Sequence, residues 1–141
     1  MNKQVLNRQT ISLQNKISDS GKLSDFFTEY AKTFEISDEI YHDLRLVIEE
    51  AFVNIVNYAY ANKETHTISI EISSTSNTIS ITFIDNGIEF NPLLPPGINS
   101  DTDYFCEGGM GIHLIKSLTD QQKYNRIKQR NVFTVTKYYT K

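Results

Sequence analysis

Apolar residues recur along this chain with two different periods, and the change from one to the other divides it into elements. Residues 9–14 alternate, with Ile11 and Leu13 on one side, and predict a first strand. From about Gly21 the spacing of Leu23, Phe26, Phe27, Tyr30 and Phe34 is helical. Ser37, Asp38 and Glu39 form a helix start, because a serine accepts from the first unpaired amides and acids suit that end. The helix they open is predicted to run to about Tyr60. Alternation returns at Ile68, Ile70 and Ile72 and again at Ile79, Ile81 and Phe83, with the polar SSTSN between them as a hairpin turn. Residues 86–107 hold all three prolines and form the one long irregular segment, and a loop of that length is more often a functional lid than a connector. A helical rhythm in Ile112, Leu114, Ile115 and Leu118 follows, and QQKYNRIK with NVFTVTKYY predicts a closing hairpin whose Tyr138 and Tyr139 pack on the sheet edge.

The order strand, helix, helix, strand, strand, loop, helix, strand, strand lacks the regular alternation of a doubly wound fold. It predicts an α+β two-layer sandwich, a mostly antiparallel mixed sheet with helices on one face. A length of 141 residues fits a single domain, 1–141, able to bury a core without disulfides or a structural metal. The net charge of −3 gives no electrostatic footprint for nucleic acid or an anionic membrane. The single cysteine, Cys106, makes no internal disulfide, and nothing basic nearby activates it. No apolar run reaches membrane-spanning length, and MNKQVLNRQT lacks the apolar core of a signal peptide, so a cytoplasmic location is expected.

Three places carry candidate chemistry. On the long helix LRLVIEEAFVNIVNYAY, apolar nearly all round and so expected to be mostly buried, Glu50, Asn54 and Asn57 stand at i, i+4 and i+7 and share one face. A solvated stripe would explain them, but a carboxylate with an amide oxygen one turn on also suits a hard cation such as Mg²⁺, or a base that orients a water. Glu50 is better spaced than Glu49 to partner Asn54. Next, Asp85 ends an apolar strand before Asn86 and Gly87; this is ordinary turn chemistry, and equally a fixed acceptor beside a residue that lets a flat ring approach. Finally, EGGMGIHLIKS places Gly108, Gly109 and Gly111 where a helix begins, either as punctuation or to expose amides to phosphate. His42, His66 and His113 have no metal-ligand spacing.

Taken in order, EEAFVNIVNYAY, DNGIEFNP and EGGMGIHLIKSLTD resemble the GHKL (gyrase, Hsp90, histidine kinase, MutL) ATP-binding family, and most closely its compact branch of anti-sigma-factor serine/threonine kinases. The resemblance is close from about residue 44 to 120. It implies the Bergerat ATP-binding fold, with ATP and Mg²⁺ as cofactors. It further implies Glu50 as general base, Asn54 as the Mg²⁺ ligand, and Asn57 among the nucleotide-binding residues. Asp85 would accept from the adenine amine, Gly87 would lie under the ring, and Gly108, Gly109, Met110 and Gly111 would cradle phosphates beneath a lid at about 91–107. The implied partners are a sigma factor and an anti-anti-sigma (STAS-type) protein, with the kinase itself a homodimer. The sequence departs from the family at Glu89, where a second glycine is common, and at Tyr58, where histidine is common. The segment LLPPGINSDTDYFCE has no arginine or lysine, although kinases of the branch commonly carry a lid arginine. A non-catalytic, nucleotide-gated binding protein is therefore the alternative expectation.

Overall fold

The structure, a computed structural model, describes residues 7–60, 64–94 and 107–139. Five strands form one sheet: β1 (Asn7–Gln14), β2 (Thr67–Ser74), β3 (Thr78–Asp85), β4 (Gln121–Ile127) and β5 (Arg130–Tyr138). Their spatial order is β1-β2-β3-β5-β4, and every pairing is antiparallel. The sheet is thus not mixed over the described residues. Three helices, α1 (Ser20–Thr33), α2 (Asp38–Tyr58) and α3 (Glu107–Leu118), complete the α+β sandwich.

Alternation decides which face of the sheet is covered. Ile68, Ile70 and Ile72 of β2, Ile79, Ile81 and Phe83 of β3, and Phe133 and Val135 of β5 all point one way and are buried. They pack with Leu23, Phe27 and Tyr30 of α1, Leu44, Val47, Ile48, Ala51, Phe52 and Ile55 of α2, and Ile115 of α3 in one core. The opposite face is polar, with Ser80 and Thr136 hydroxyls 3.0 Å apart and Thr82 and Thr134 hydroxyls 2.9 Å apart. Cross-strand hydroxyl pairs of this kind suit a wet surface.

The predicted helix starts and stops have visible causes. Ser37 caps α2, its Oγ accepting from the Ile40 amide at 3.4 Å. After α1 the chain turns through Glu35 at φ 55°, and the Ile36 amide returns to the Ala31 carbonyl at 2.9 Å, a left-handed stop. α2 ends at Tyr58, and Leu46, expected among its buried residues, is 47% exposed. β5 turns out to be an interior strand, so its end is not at a sheet edge; Tyr139 instead donates to the carbonyl of Thr75 in the β2–β3 turn at 3.0 Å. The β4–β5 connection is a two-residue turn in which Lys128 and Gln129 both have positive φ, 51° and 67°. Such a turn matches the twist of the strands but ordinarily asks for Asn-Gly, so side chains here are strained.

Tyr30 joins the two layers: its ring is fully buried, and its hydroxyl donates to the Asn7 carbonyl at 2.7 Å and meets Ser74 Oγ at 2.6 Å. Removing only that oxygen strands two sheet groups beneath α1. Tyr30→Phe is expected to lower unfolding free energy by about 1–3 kcal/mol in urea titrations, with the slope unchanged.

Candidate functional site

Asp85 is the last residue of β3 and lies on the inward phase of that strand, two residues after Phe83. Its side chain is buried, at 2% exposure. Oδ1 accepts from the Gly87 amide at 2.9 Å, the usual Asx turn, and from Asn131 Nδ2 at 2.9 Å. Oδ2 is buried and has no hydrogen-bond partner among the described residues. Burial pushes the carboxyl above its ordinary range, while Asn131, the Gly87 amide and the charge of Arg126 act in the other direction. A buried acceptor left open is costly, and such a group asks for a donor from outside the chain.

Gly87 sits against the end of α2. A Cβ there would stand 2.2 Å from the Ala59 carbonyl oxygen, and the Ile88 amide donates to that same oxygen at 2.8 Å. Its φ is not positive, so close approach, rather than turn geometry, calls for glycine. Beside the turn, Tyr60 donates to Asn86 Oδ1 at 3.1 Å and stacks on His66 at 4.8 Å between ring centroids. Burial first, then the charge of Asp85, push the Tyr60 hydroxyl up to about 12.

One helix carries the second group of residues. Along α2, Glu50 is half-buried, Asn54 is 4% exposed and Asn57 is exposed, so the polar face runs from the protein interior out to water. Burial raises the Glu50 carboxyl above its usual range. α3 packs against α2 and brings Gly111 to Glu50: a Cβ on Gly111 would fall 2.2 Å from Glu50 Oε2. This glycine is thus accounted for by the carboxylate it touches.

Gly108, Gly109 and Met110 lie in the first turn of α3, which starts at Glu107, and not in a loop ahead of it. The first four amides of a helix have no partner inside it and lie at the positive end of the dipole, which suits phosphate oxygens. Cys106 and most of the predicted lid fall outside the described residues. Among the described residues no three of His, Cys, Asp and Glu gather as a metal cluster. An Mg²⁺ ion would have to rely on Asn54 together with phosphate oxygens and water, a donor set of the hard kind that ion takes.

Sequence reasoning missed Asn131, Tyr124 and Arg126. Asn131 is 3% exposed; its Oδ1 accepts from the Phe90 amide at 3.1 Å, from the Tyr124 hydroxyl and from Arg126 Nη1 at 3.1 Å, and its Nδ2 also donates to the Ile88 carbonyl at 2.8 Å. Asn131 shares the phase of Phe133 and Val135, and a polar residue on the buried phase of a strand was the available signal.

A buried open carboxylate at a strand end, a helix with an acid and an amide one turn apart, and amides at the start of the helix packed on it make up one candidate nucleotide site. Residues 13–137 match the family model described as "Histidine kinase-like ATPase domain", and the chain belongs to that family. Its similarity to the GHKL superfamily and the anti-sigma-factor kinase branch, read above from three motifs, holds. Among the relatives are proteins named "Serine-protein kinase RsbW". The one from Bacillus mycoides is 32% identical over 84 residues, covering 55% of this chain and 52% of its own. That of Listeria monocytogenes is 28% identical over 93 residues (62% and 59%), and that of Oceanobacillus iheyensis 31% over 104 (67% and 64%). The chain thus spans between half and two thirds of the length of these curated relatives.

The Asp85 carboxyl generates a stability test. Its folded pKa lies above the ordinary 3.8, so its contribution is favourable below the unfolded value and is lost as pH rises through the folded one. Asp85→Asn keeps an oxygen for the two donors that Oδ1 serves and removes the charge. In scanning calorimetry the midpoint of the variant relative to wild type is expected to move in the variant's favour as pH rises above the ordinary carboxyl range and through the raised folded value. A difference that stays flat with pH contradicts a raised Asp85.

Proposed function

We propose that the protein is an ATP-dependent anti-sigma-factor serine/threonine kinase, which binds a sigma factor and phosphorylates an anti-anti-sigma (STAS-type) protein on serine. The observation that carries the reading is the open, buried Oδ2 of Asp85, at the position where the family resemblance asks for an acceptor to the adenine amine. Membership of the ATPase family and relatives named serine-protein kinases support it. In this reading the chain is one ATP-binding domain with its lid at 91–107, working as a cytoplasmic homodimer.

The residues divide the work. Asp85 takes the exocyclic amine and Gly87 lets the ring lie close to the backbone. The first-turn backbone of α3 at Gly108, Gly109 and Met110 holds phosphate oxygens, Gly111 lets that helix stand against Glu50, Asn54 offers its oxygen to Mg²⁺, and Asn57 lies beside the nucleotide. Bound Mg-ATP supplies the phosphoryl group and offsets its charge. Glu50, its pKa raised by burial toward the range useful for a base, takes the serine hydroxyl proton and orients that oxygen. A second reading, nucleotide-gated binding without transfer, is favoured by the lack of any arginine or lysine in residues 93–107.

Glu50→Gln separates the two. It is expected to bind Mg-ATP nearly as wild type does in calorimetry, while transfer of label to the cognate protein falls roughly 10²–10⁴-fold. Wild type and variant that both bind ATP and are equally inert toward the true partner would leave the gated binder. Gly111→Ala tests the same carboxylate from the other side. The new methyl would stand within 2.7 Å of Glu50 Oε2, Cγ and Cδ, so that side chain must move aside, and transfer should fall by about two orders of magnitude. An unchanged rate would show that the carboxylate position is not critical.

A further inference from the structure

The β4–β5 hairpin does more at the Asp85 turn than strand pairing requires. An amide side chain has two N–H donors and one oxygen. Asn131 spends both donors and has three donors converging on its oxygen, with every partner in the turn from Asp85 to Phe90 or in the hairpin itself. Arg126, directly across the ladder from Asn131, adds a bond from Nη1 to the Gly87 carbonyl at 2.9 Å. The register that sets Arg126 opposite Asn131 is fixed by the two-residue turn at Lys128 and Gln129, the pair held at positive φ. Backbone strain of this sort persists where the surrounding contacts demand it.

Those bonds have a consequence for what Asp85 can recognise. With Oδ1 tied to Asn131 and the Gly87 amide, the carboxyl plane is fixed and Oδ2 alone stays open. A carboxylate only accepts, whereas a protonated carboxyl also donates. Burial raises the carboxyl, and the N–H donor on Oδ1 and the nearby guanidinium pull it back toward the accepting form. We propose that Asn131 and Arg126 are specificity-determining positioning residues, which hold Asp85 as an obligate acceptor so that the site takes a 6-aminopurine and rejects a 6-oxopurine. This rests on the ATP-binding reading and assigns its base selectivity to the hairpin. The other titratable groups around Asp85 are Tyr60 from beyond the end of α2 and Tyr124 of β4, with His66 and Arg130 lining a pocket beside it. Both hydroxyls are shifted upward and stay neutral near pH 7, and Glu89 acts on Tyr124 from the turn. Arg126 is the cation whose charge acts on Asp85.

The test is calorimetric titration of ATP and of inosine triphosphate into wild type, Asp85→Asn, Asn131→Ala and Arg126→Gln, across about pH 6 to pH 8.5. Wild type should prefer ATP. Asn131→Ala should lose about tenfold in ATP affinity, narrow the ATP-to-inosine triphosphate ratio, and show its loss of ATP binding on acidification at a higher pH than wild type. Arg126→Gln should move the ratio the same way by less; because Arg126 is exposed, this variant decides the matter should Asn131→Ala fail to fold. An unchanged ratio and pH profile in the folded variants, with ATP binding still weakened by Asp85→Asn, overturns the hairpin's role and leaves the ATP reading standing. No ATP binding by wild type, or binding indifferent to Asp85→Asn, overturns both.

Discussion

The arrangement of this molecule depends on a carboxylate that is buried almost completely and yet only half satisfied. Burying an ionised group is expensive unless donors surround it. At Asp85 the chain supplies two donors to one oxygen and none to the other. The two donors come from a turn and from the second residue of a strand that is distant in sequence, so the turn, β3 and β5 must all be in register for the carboxylate to be tolerated. That requirement explains why the polar cluster around Asn131 is so fully bonded. A buried polar network that is satisfied rigidifies its surroundings, and one that is partly satisfied is a weakness. Here the single open valence is confined to one atom.

α2 mediates between this cluster and the rest. Its inward residues fill the core against the sheet, its polar edge carries Glu50 and Asn54, and its last turn meets Gly87. α3 closes on the same helix through Gly111. The two glycines therefore serve one purpose, since each allows an element to approach α2 more closely than any side chain would permit. The Glu50 carboxylate is held on a rigid element and touched by a second one, which is how a reacting group is kept in a narrow range of positions.

Much of this was legible in the sequence because only one face of the sheet is covered. Strict alternation in β2, β3 and β5 follows from that, and it fixed the strands to within a residue or two. The cap at Ser37 and the core-facing rhythm of α1 and α2 were equally plain. The motifs also singled out Glu50, Asn54 and Asp85, and the structure places the first two on α2 and the third at the end of β3. What escaped was the support. Asn131 reads as the polar start of a strand, Arg126 as an ordinary exposed cation, and Ala59 as a helix end. Their roles come from pairings across the ladder and from a helix terminus meeting a turn, contacts that no local pattern encodes. Gly87 and Gly111 were noticed, but the reason local reasoning offered, turn conformation or an approaching ligand, was not the packing the structure reveals.

The bond from the Ile88 amide to the Ala59 carbonyl has one more consequence. It pins the Asp85 turn to the end of the helix that bears Glu50 and Asn54, which makes α2 a ruler. Nine residues separate Glu50 from Ala59, and at about 1.5 Å of rise each they set a span of roughly 13 Å along the axis. One residue cannot be added or removed between these marks without also turning the polar edge by about 100°. The length of a helix, and not the chemistry of any side chain, thus fixes how far the Asp85 turn stands from Glu50.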